Sequence, residues 1–277
     1  MKKITLSPSR VKDFLQCPLM YKFKTVDLLP SPPSIEAIRG THVHLVLETL
    51  YGLDAHKRSL ETALELGVSV FENVMDDIKS KDALAILQET VDDSKKRDEY
   101  YEQVNNCIYN YFKLENPKVY EPAALETWIK TTLEYKQGEE EISVGGIIDR
   151  LEIARTGEVR ISDYKTGSMP NVQFQNDALF QMFFYALIYA RENDGKLPKM
   201  VKLLYLKDAN VIEREPTNQN LQETEEVILS VYGQIQENLK SGHWEARSSP
   251  LCNWCAFQTR CPLYTDAGSI PTIQDRY

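Results

Sequence analysis

Residues 145–167 read GGIIDRLEIARTGEVRISDYKTG, and three of them are chemically out of place. Two apolar runs flank a Thr-Gly turn, the pattern of a β-hairpin. Each run carries one aspartate where a buried strand favours Val or Ile. Asp163 and Lys165 are two apart, so on an extended strand they share a face. With the turn centred near Thr156 and Gly157, Asp149 lies opposite or diagonal to Asp163, and opposed Cβ atoms sit about 5 Å apart. Two carboxylates that close repel unless something positive lies between them. A hard divalent cation such as Mg²⁺ or Mn²⁺ meets that need. A lysine beside it can offset charge developing on a phosphate or position a hydrolytic water. The bland alternative is a surface hairpin with ordinary solvent charges, but both acids lie within apolar runs.

The cysteines form a second group. There are five: Cys17, Cys107, Cys252, Cys255 and Cys261. The number is odd, and the N-terminus has no apolar stretch of the kind a secretory signal needs, so a metal site is favoured over a disulfide framework. CNWCAFQTRC has C-x2-C-x5-C spacing, and the two thiolates of C-x2-C can hold one metal or cluster. A fourth ligand is needed. Cys17 lies near the other terminus, and Cys107, mid-helix, reads as a small buried hydrophobe. Four thiolates suit Zn²⁺ and an iron–sulfur cluster alike.

These residues need elements to position them. Near the N-terminus, Ser7 or Ser9 can cap a short helix with Val11, Phe14, Leu15 and Leu19 on its apolar side. LLPSPPS breaks the chain at 28–34, and 35–52 reads as a helix ending near Gly52. Residues 58–116 show helical periodicity and no strong strand signal, which predicts two to four helices. From 123 to 165 the period changes to alternation, predicting three antiparallel strands with turns at GEE and RTGE. A strongly apolar helix follows over 173–192, then a strand over 198–208 and a long amphipathic helix ending at Gly242. No internal repeat or low-complexity segment is present.

Composition bounds the reading further. The chain has 277 residues, 42% hydrophobic and 26% charged, ordinary for a globular protein. No stretch approaches the length of a membrane span, so no membrane partner is expected and the cytoplasm is the expected compartment. The net charge of −9 argues mildly against a protein that simply coats nucleic acid. It does not exclude an enzyme with a local basic groove.

GGIIDRLEI followed by VRISDYKTG resembles the active-site hairpin of PD-(D/E)XK nucleases of the RecB type. The resemblance implies that Asp149 and Asp163 bind the catalytic metal, Mg²⁺ or Mn²⁺, and that Lys165 is the catalytic lysine. RGTHVHLVLE is similar to the family's upstream helix and implies His44, rather than His42, as a metal ligand. His44 and Glu48 are four apart, on one helical face. QMFFYALIYA matches a Gln-x-x-x-Tyr motif, which implies that Gln181 and Tyr185 orient the lysine or touch the substrate strand. A lone N-terminal cysteine paired with a C-terminal C-x2-C-x5-C is similar to the iron–sulfur subset of this superfamily, the AddB-type nucleases. It implies that Cys17, Cys252, Cys255 and Cys261 hold a [4Fe-4S] cluster, with structural Zn²⁺ as the rival.

The implied fold is α/β: a restriction-endonuclease-like core with a mixed sheet flanked by helices, a helical insertion and an iron–sulfur staple joining the termini. It makes one domain over 1–277, with the insertion at 53–120, the catalytic core at 121–215 and the cysteine segment at 243–265. The implied activity is metal-dependent hydrolysis of DNA, as an exonuclease on single strands or ends. RNA cleavage and a non-catalytic nucleic-acid-binding subunit are the alternatives. A helicase partner is plausible by the same likeness, and this chain carries no helicase motif. Arg10, Lys12, Lys22, Lys24 and Arg150 are candidate DNA contacts, with Tyr185, Tyr21, Phe23 and Phe14 near them. Aromatics there could stack on bases.

Overall fold

The computed structural model describes residues 4–265 apart from 32, 72, 75–80 and 137–139. The helices are α1 (Pro8–Gln16), α2 (Pro18–Tyr21), α3 (Ile35–Tyr51), α4 (Leu60–Ser69), α5 (Lys81–Asp92), α6 (Ser94–Leu114), α7 (Gln175–Glu192), α8 (Asn218–Ser241) and α9 (Pro262–Thr265). The strands are β1 (Pro122–Tyr135), β2 (Glu140–Ile153), β3 (Val159–Lys165), β4 (Met200–Tyr205) and β5 (Asn210–Arg214). Capping explains many of the boundaries: the side chains of Ser7, Ser34, Ser59, Asp93 and Thr217 each accept from the first turn of the helix that follows. Gly242, at φ +73°, closes α8 in the left-handed region that favours glycine.

The five strands form one sheet in the order β1-β2-β3-β4-β5. Only β3 and β4 run parallel, joined by the crossover through α7. The sheet is covered on both faces. One core unites α1, α7 and α8 with Ile142, Val144, Ile161, Val201 and Leu203 of the sheet. The other unites α3, α4 and α6 with Tyr164, Leu204 and Leu206. Three helices, α4, α5 and α6, occupy the described part of the expected insertion, and Cys107 is buried in α6 as anticipated.

Some expectations need correction. The strand expected over 198–208 is present as β4, but a further strand was not expected: after Tyr205 and a turn with Ala209 at φ +50° the chain returns as the edge strand β5. Short, polar NVIER followed by Pro216 gives little strand signal. Leu15, expected on the apolar side of α1, is 45% exposed, because Val11 and Phe14 fill that face. The GEE turn lies partly outside the described residues.

His42, on the core side of α3, is fully buried between Tyr100 Oη at 3.0 Å and the Gly67 carbonyl at 2.8 Å. Burial pulls its pKa down to about 4, against the pull of the Gly67 carbonyl. The folded protein therefore holds His42 neutral where the unfolded chain would protonate it. The stability this gives is complete above pH 6.5 and is lost as pH falls towards 4. Urea unfolding should show about 2–3 kcal/mol of acid-dependent loss from this residue between those limits. In His42→Gln the slope of stability against pH over that window should be correspondingly shallower.

Candidate active site

The hairpin places its acids as the spacing requires. The register Arg150↔Ser162 sets Asp149 across from Asp163 at the end of the β2–β3 ladder. Both are buried, at 7% and 2% exposure. Asp149 Oδ2 accepts the Tyr164 amide at 2.7 Å. Asp163 Oδ2 lies 2.7 Å from Lys165 Nζ. Gln181 on α7 completes the arrangement: its Nε2 donates to Asp163 Oδ1 at 2.7 Å, and its Oε1 accepts from Lys165 Nζ at 2.9 Å. One turn on, the Tyr185 hydroxyl lies 3.0 Å from Gln181 Nε2. One amide thus fixes both the acid and the lysine.

The glycine pair opening the hairpin makes this possible. A Cβ at Gly146 would lie 2.8 Å from Tyr185 Cε1, so the tyrosine ring rests directly on the β2 backbone. A Cβ at Gly145 would lie 2.8 Å from Trp128 Cζ2 on β1. A bulkier residue at either position would push a ring away from the strand.

From the other side, α3 brings His44. Its Nε2 donates to the Tyr164 carbonyl at 3.0 Å, and its Nδ1 lies 3.5 Å from Asp149 Oδ2 and 3.4 Å from Glu126 Oε1. Glu126 is the residue that sequence reasoning missed. In ALETWIK it reads as an ordinary solvent charge on an alternating strand. The flanking pairs Leu125↔Arg150 and Thr127↔Ile148 set it across from Asp149. Its φ of +40° lies in a region costly for a residue with a Cβ. Among the described residues, His44, Glu126 and Asp149 bring ligand atoms within 4.8 Å of one another. Asp163, expected in the metal set with His44 and Asp149, faces Asp149 across the ladder while its carboxylate contacts Lys165 and Gln181.

The electrostatics fit a cation. Burial and then the charge of Asp163 raise the Asp149 pKa well above the ordinary carboxylate range, with His44 and the Tyr164 amide pulling the other way. Burial opposes charge on His44, but the Glu126 hydrogen bond and the carboxylates of Asp149, Asp163 and Glu126 outweigh it, pushing the imidazole up to about 9. Lys165 shows the same contest: burial disfavours its charge, and Asp163 more than restores it, raising its pKa. Three acids gathered in a partly dry cleft lack positive charge, and protons make up the shortfall. His44, Asp149, Glu126 and Asp163 offer the nitrogen and oxygen donors that Mg²⁺ or Mn²⁺ accepts.

The candidate substrate contacts divide. Arg150 is not one of them. Neighbouring residues on a strand face opposite ways, so with Asp149 in the cleft Arg150 points into the helical layer behind the sheet. It is fully buried there, bonded to the hydroxyls of Tyr51 (2.6 Å), Tyr111 (3.1 Å) and Tyr164 (2.8 Å) and to Glu115 Oε2 (2.6 Å). Lys22 pairs with Asp27 at 2.5 Å and Lys24 with Asp13 at 2.7 Å. Arg10 Nη1 donates to the Thr5 carbonyl at 2.5 Å. Tyr185 is only 5% exposed, which suits positioning Gln181 better than meeting a substrate strand. Tyr21 and Phe14 are buried in the core beneath α1, and Tyr21 stacks on Trp244.

The four terminal cysteines come together although Cys17 is far from the others in sequence. Cys17, Cys252, Cys255 and Cys261 line one cavity with Met20, Phe23 and Phe257. Backbone amides point at the sulfurs: Met20 N and Arg247 N at 3.4 and 3.5 Å from Cys17 Sγ, and Ser249 N at 3.3 Å from Cys252 Sγ. Burial raises the Cys255 pKa, with the three other thiols adding to it. The segments that carry these cysteines also meet directly, through Leu19 N to the Glu245 carbonyl (3.0 Å) and Arg247 Nη1 to the Leu15 carbonyl (3.0 Å).

Comparison with known proteins agrees with the fold. The family model of the PD-(D/E)XK nuclease superfamily matches residues 5–262. The gene 69 protein of Mycobacterium phage L5 is 22% identical over 93% of this chain and 96% of its own length. The crystal structure of a candidate exonuclease from Eubacterium rectale aligns with a TM-score of 0.55 at 15% identity, covering 91% of this chain and 86% of that one. The structure of SSO0001 aligns at 12% identity with a TM-score of 0.45, over 95% and 88% of the two chains.

Proposed function

Since the chain belongs to the PD-(D/E)XK nuclease superfamily, we propose that it is a metal-dependent deoxyribonuclease of the RecB-like type, acting as an exonuclease on single-stranded DNA or DNA ends. The observation that carries this reading is the meeting of His44, Glu126 and Asp149 with the Asp163–Lys165–Gln181 triplet at one end of the β2–β3 hairpin. His44, Asp149, Asp163 and Glu126 would hold Mg²⁺ or Mn²⁺, which when bound lowers the pKa of water and offsets phosphate charge. Lys165, kept charged by Asp163, holds the attacking water or a phosphate oxygen by a charge-assisted hydrogen bond. Gln181 fixes the ammonium's direction, and Tyr185 fixes Gln181.

The test is purified protein on end-labelled single-stranded DNA, duplex DNA and RNA, with Mg²⁺, Mn²⁺ or EDTA. Cleavage of DNA with either metal and none in EDTA supports the reading. Preference for RNA would move the substrate class. Binding without cleavage under every condition would make the chain a nucleic-acid-binding subunit, the runner-up.

Metal binding should depend on pH with a definite sign. With no cation present the surroundings of His44 and Asp149 favour the protonated form of each, and both must lose their protons to act as ligands. Metal affinity should therefore rise from pH 6 to pH 9 with protons released. Calorimetry of Mn²⁺ binding in buffers of different ionisation enthalpy reads that release directly. An affinity flat across the range would remove His44 and Asp149 from the ligand set.

For the cysteines we propose a [4Fe-4S] cluster that staples the ends of the fold. What supports it is four thiols on one cavity with amide donors aimed at two of the sulfurs. Anaerobically prepared protein should be brown, with iron and acid-labile sulfide; colourless protein loaded with zinc would replace the cluster by a structural zinc.

A further inference from the structure

Of the cations near the N-terminus, Lys12 behaves differently from the rest. Arg10, Lys22 and Lys24 are held by protein acceptors, and Arg150 is sealed in the core. Lys12 lies on α1, one turn after Pro8. Pro8 packs at the seam between β2 and α7: a Cβ on Gly146 would lie 3.4 Å from Pro8 Cδ and 2.8 Å from Tyr185 Cε1. Residues four apart lie on one side of a helix, so Lys12 sits above the seam that carries Tyr185 and Gln181. It is half-buried. Burial and then the charge of Lys165 disfavour its ammonium, opposed by Asp163 of the candidate site and by Asp177 on α7. Among the described residues, no ion pair or hydrogen bond holds its ammonium.

Lys12 and Lys165 therefore stand near enough for their charges to repel, and among the described residues only Lys165 of the two has a carboxylate in contact. Their repulsion disappears if an anion enters between them. Resting on the nuclease reading above, we propose that Lys12 is a substrate-contacting residue: its ammonium binds a phosphate oxygen of the nucleic-acid strand at or next to the scissile position. Lys12 and Lys165 then hold the strand from α1 and from β3. An acidic chain would need few other cations for this, since the contact is made inside the cleft.

The experiment compares wild type, Lys12→Met and Lys12→Arg. Met keeps the length and packing of the stem without the charge; Arg keeps the charge. Binding of fluorescein-labelled oligothymidine is measured by anisotropy with Ca²⁺ across a range of salt, and cleavage is measured with Mg²⁺. In Lys12→Met, affinity should fall about tenfold or more, and the plot of log affinity against log salt should be shallower by about 0.7. KM should rise with kcat little changed, because the contact exists before the transition state. Lys12→Arg should stay near wild type in all three. Wild-type affinity and salt slope in Lys12→Met would overturn the proposal. So would equal loss in Met and Arg, which would show a packing role. If Lys12→Met does not fold, Lys12→Gln gives the same salt-slope reading. The outcomes separate from the nuclease reading: a wild type that binds but never cleaves, with binding lost in Lys12→Met, sinks the nuclease and keeps the contact. A wild type that cleaves, with Lys12→Met unaltered, does the reverse.

Discussion

Lys165→Ala is expected to lower the single-turnover rate of DNA cleavage by about 10²–10³-fold, the usual effect of removing one preorganised donor from developing charge. Binding to DNA should change far less, because other contacts hold the strand. The fold should survive: the Lys165 side chain is 34% exposed, and among the described residues its tight partners are Asp163 and Gln181. Asp163 would then face Asp149 without its ammonium, so Mn²⁺ should bind the variant at least as tightly as wild type. That combination, intact metal binding with lost chemistry, distinguishes a lysine acting on water or phosphate from one that merely props up the acids. Lys165→Arg should not restore the rate, because a planar fork cannot place one donor where a point ammonium sat. Equal activity in wild type and Lys165→Ala would end the assignment.

The second large effect concerns stability. Arg150→Met should cost about 3–5 kcal/mol, the range for removing one partner from a buried ionic network. The guanidinium joins Tyr51 of α3, Tyr111 of α6, Tyr164 of β3 and Glu115 after α6, and stacks over the rings of Tyr51, Tyr120 and Tyr164. Lys202 still reaches Glu115 at 2.8 Å, so the carboxylate is not left wholly unpaired and the lower part of the range applies. Denaturant melts would show the midpoint shift at unchanged slope. Activity should drop too, since Tyr164 lies between Asp163 and Lys165 and its amide and carbonyl meet Asp149 and His44. A DNA-contacting Arg150 would give the opposite pattern, normal stability with weaker binding.

That contrast shows what a sequence discloses and what it hides. Asp149, Asp163 and Lys165 were legible because their chemistry clashes with the apolar runs that hold them, and a period of two is enough to place them on one face. His44 and Gln181 were legible only through the likeness to a family; by themselves a histidine and a glutamine on amphipathic helices attract no notice. Glu126 was invisible. Its position depends on which β1 residue faces Asp149, and register between strands is settled by packing that no local pattern states. Arg150 was misread by weighing its type over its phase. An arginine beside a candidate metal-binding acid suggests a phosphate, yet alternation alone turns it to the opposite face. The helices were mostly read at close to their true ends, since capping residues are local signals. Edge strand β5 was missed because an edge needs little hydrophobic content.

The contact between residues 15–19 and 245–247 bears on when α1 and α2 can be seated. Cys17 and Glu245 are 228 residues apart in sequence, yet α1 and α2 are seated by residues 244–247. At cellular rates of synthesis that separation is on the order of ten to fifty seconds. Through that interval α1 and α2 lack the contacts that residues 245–247 make with Leu15, Cys17 and Leu19. A nascent chain that has not reached residue 245 therefore carries Asp149, Asp163 and Lys165 without that support for α1 and α2.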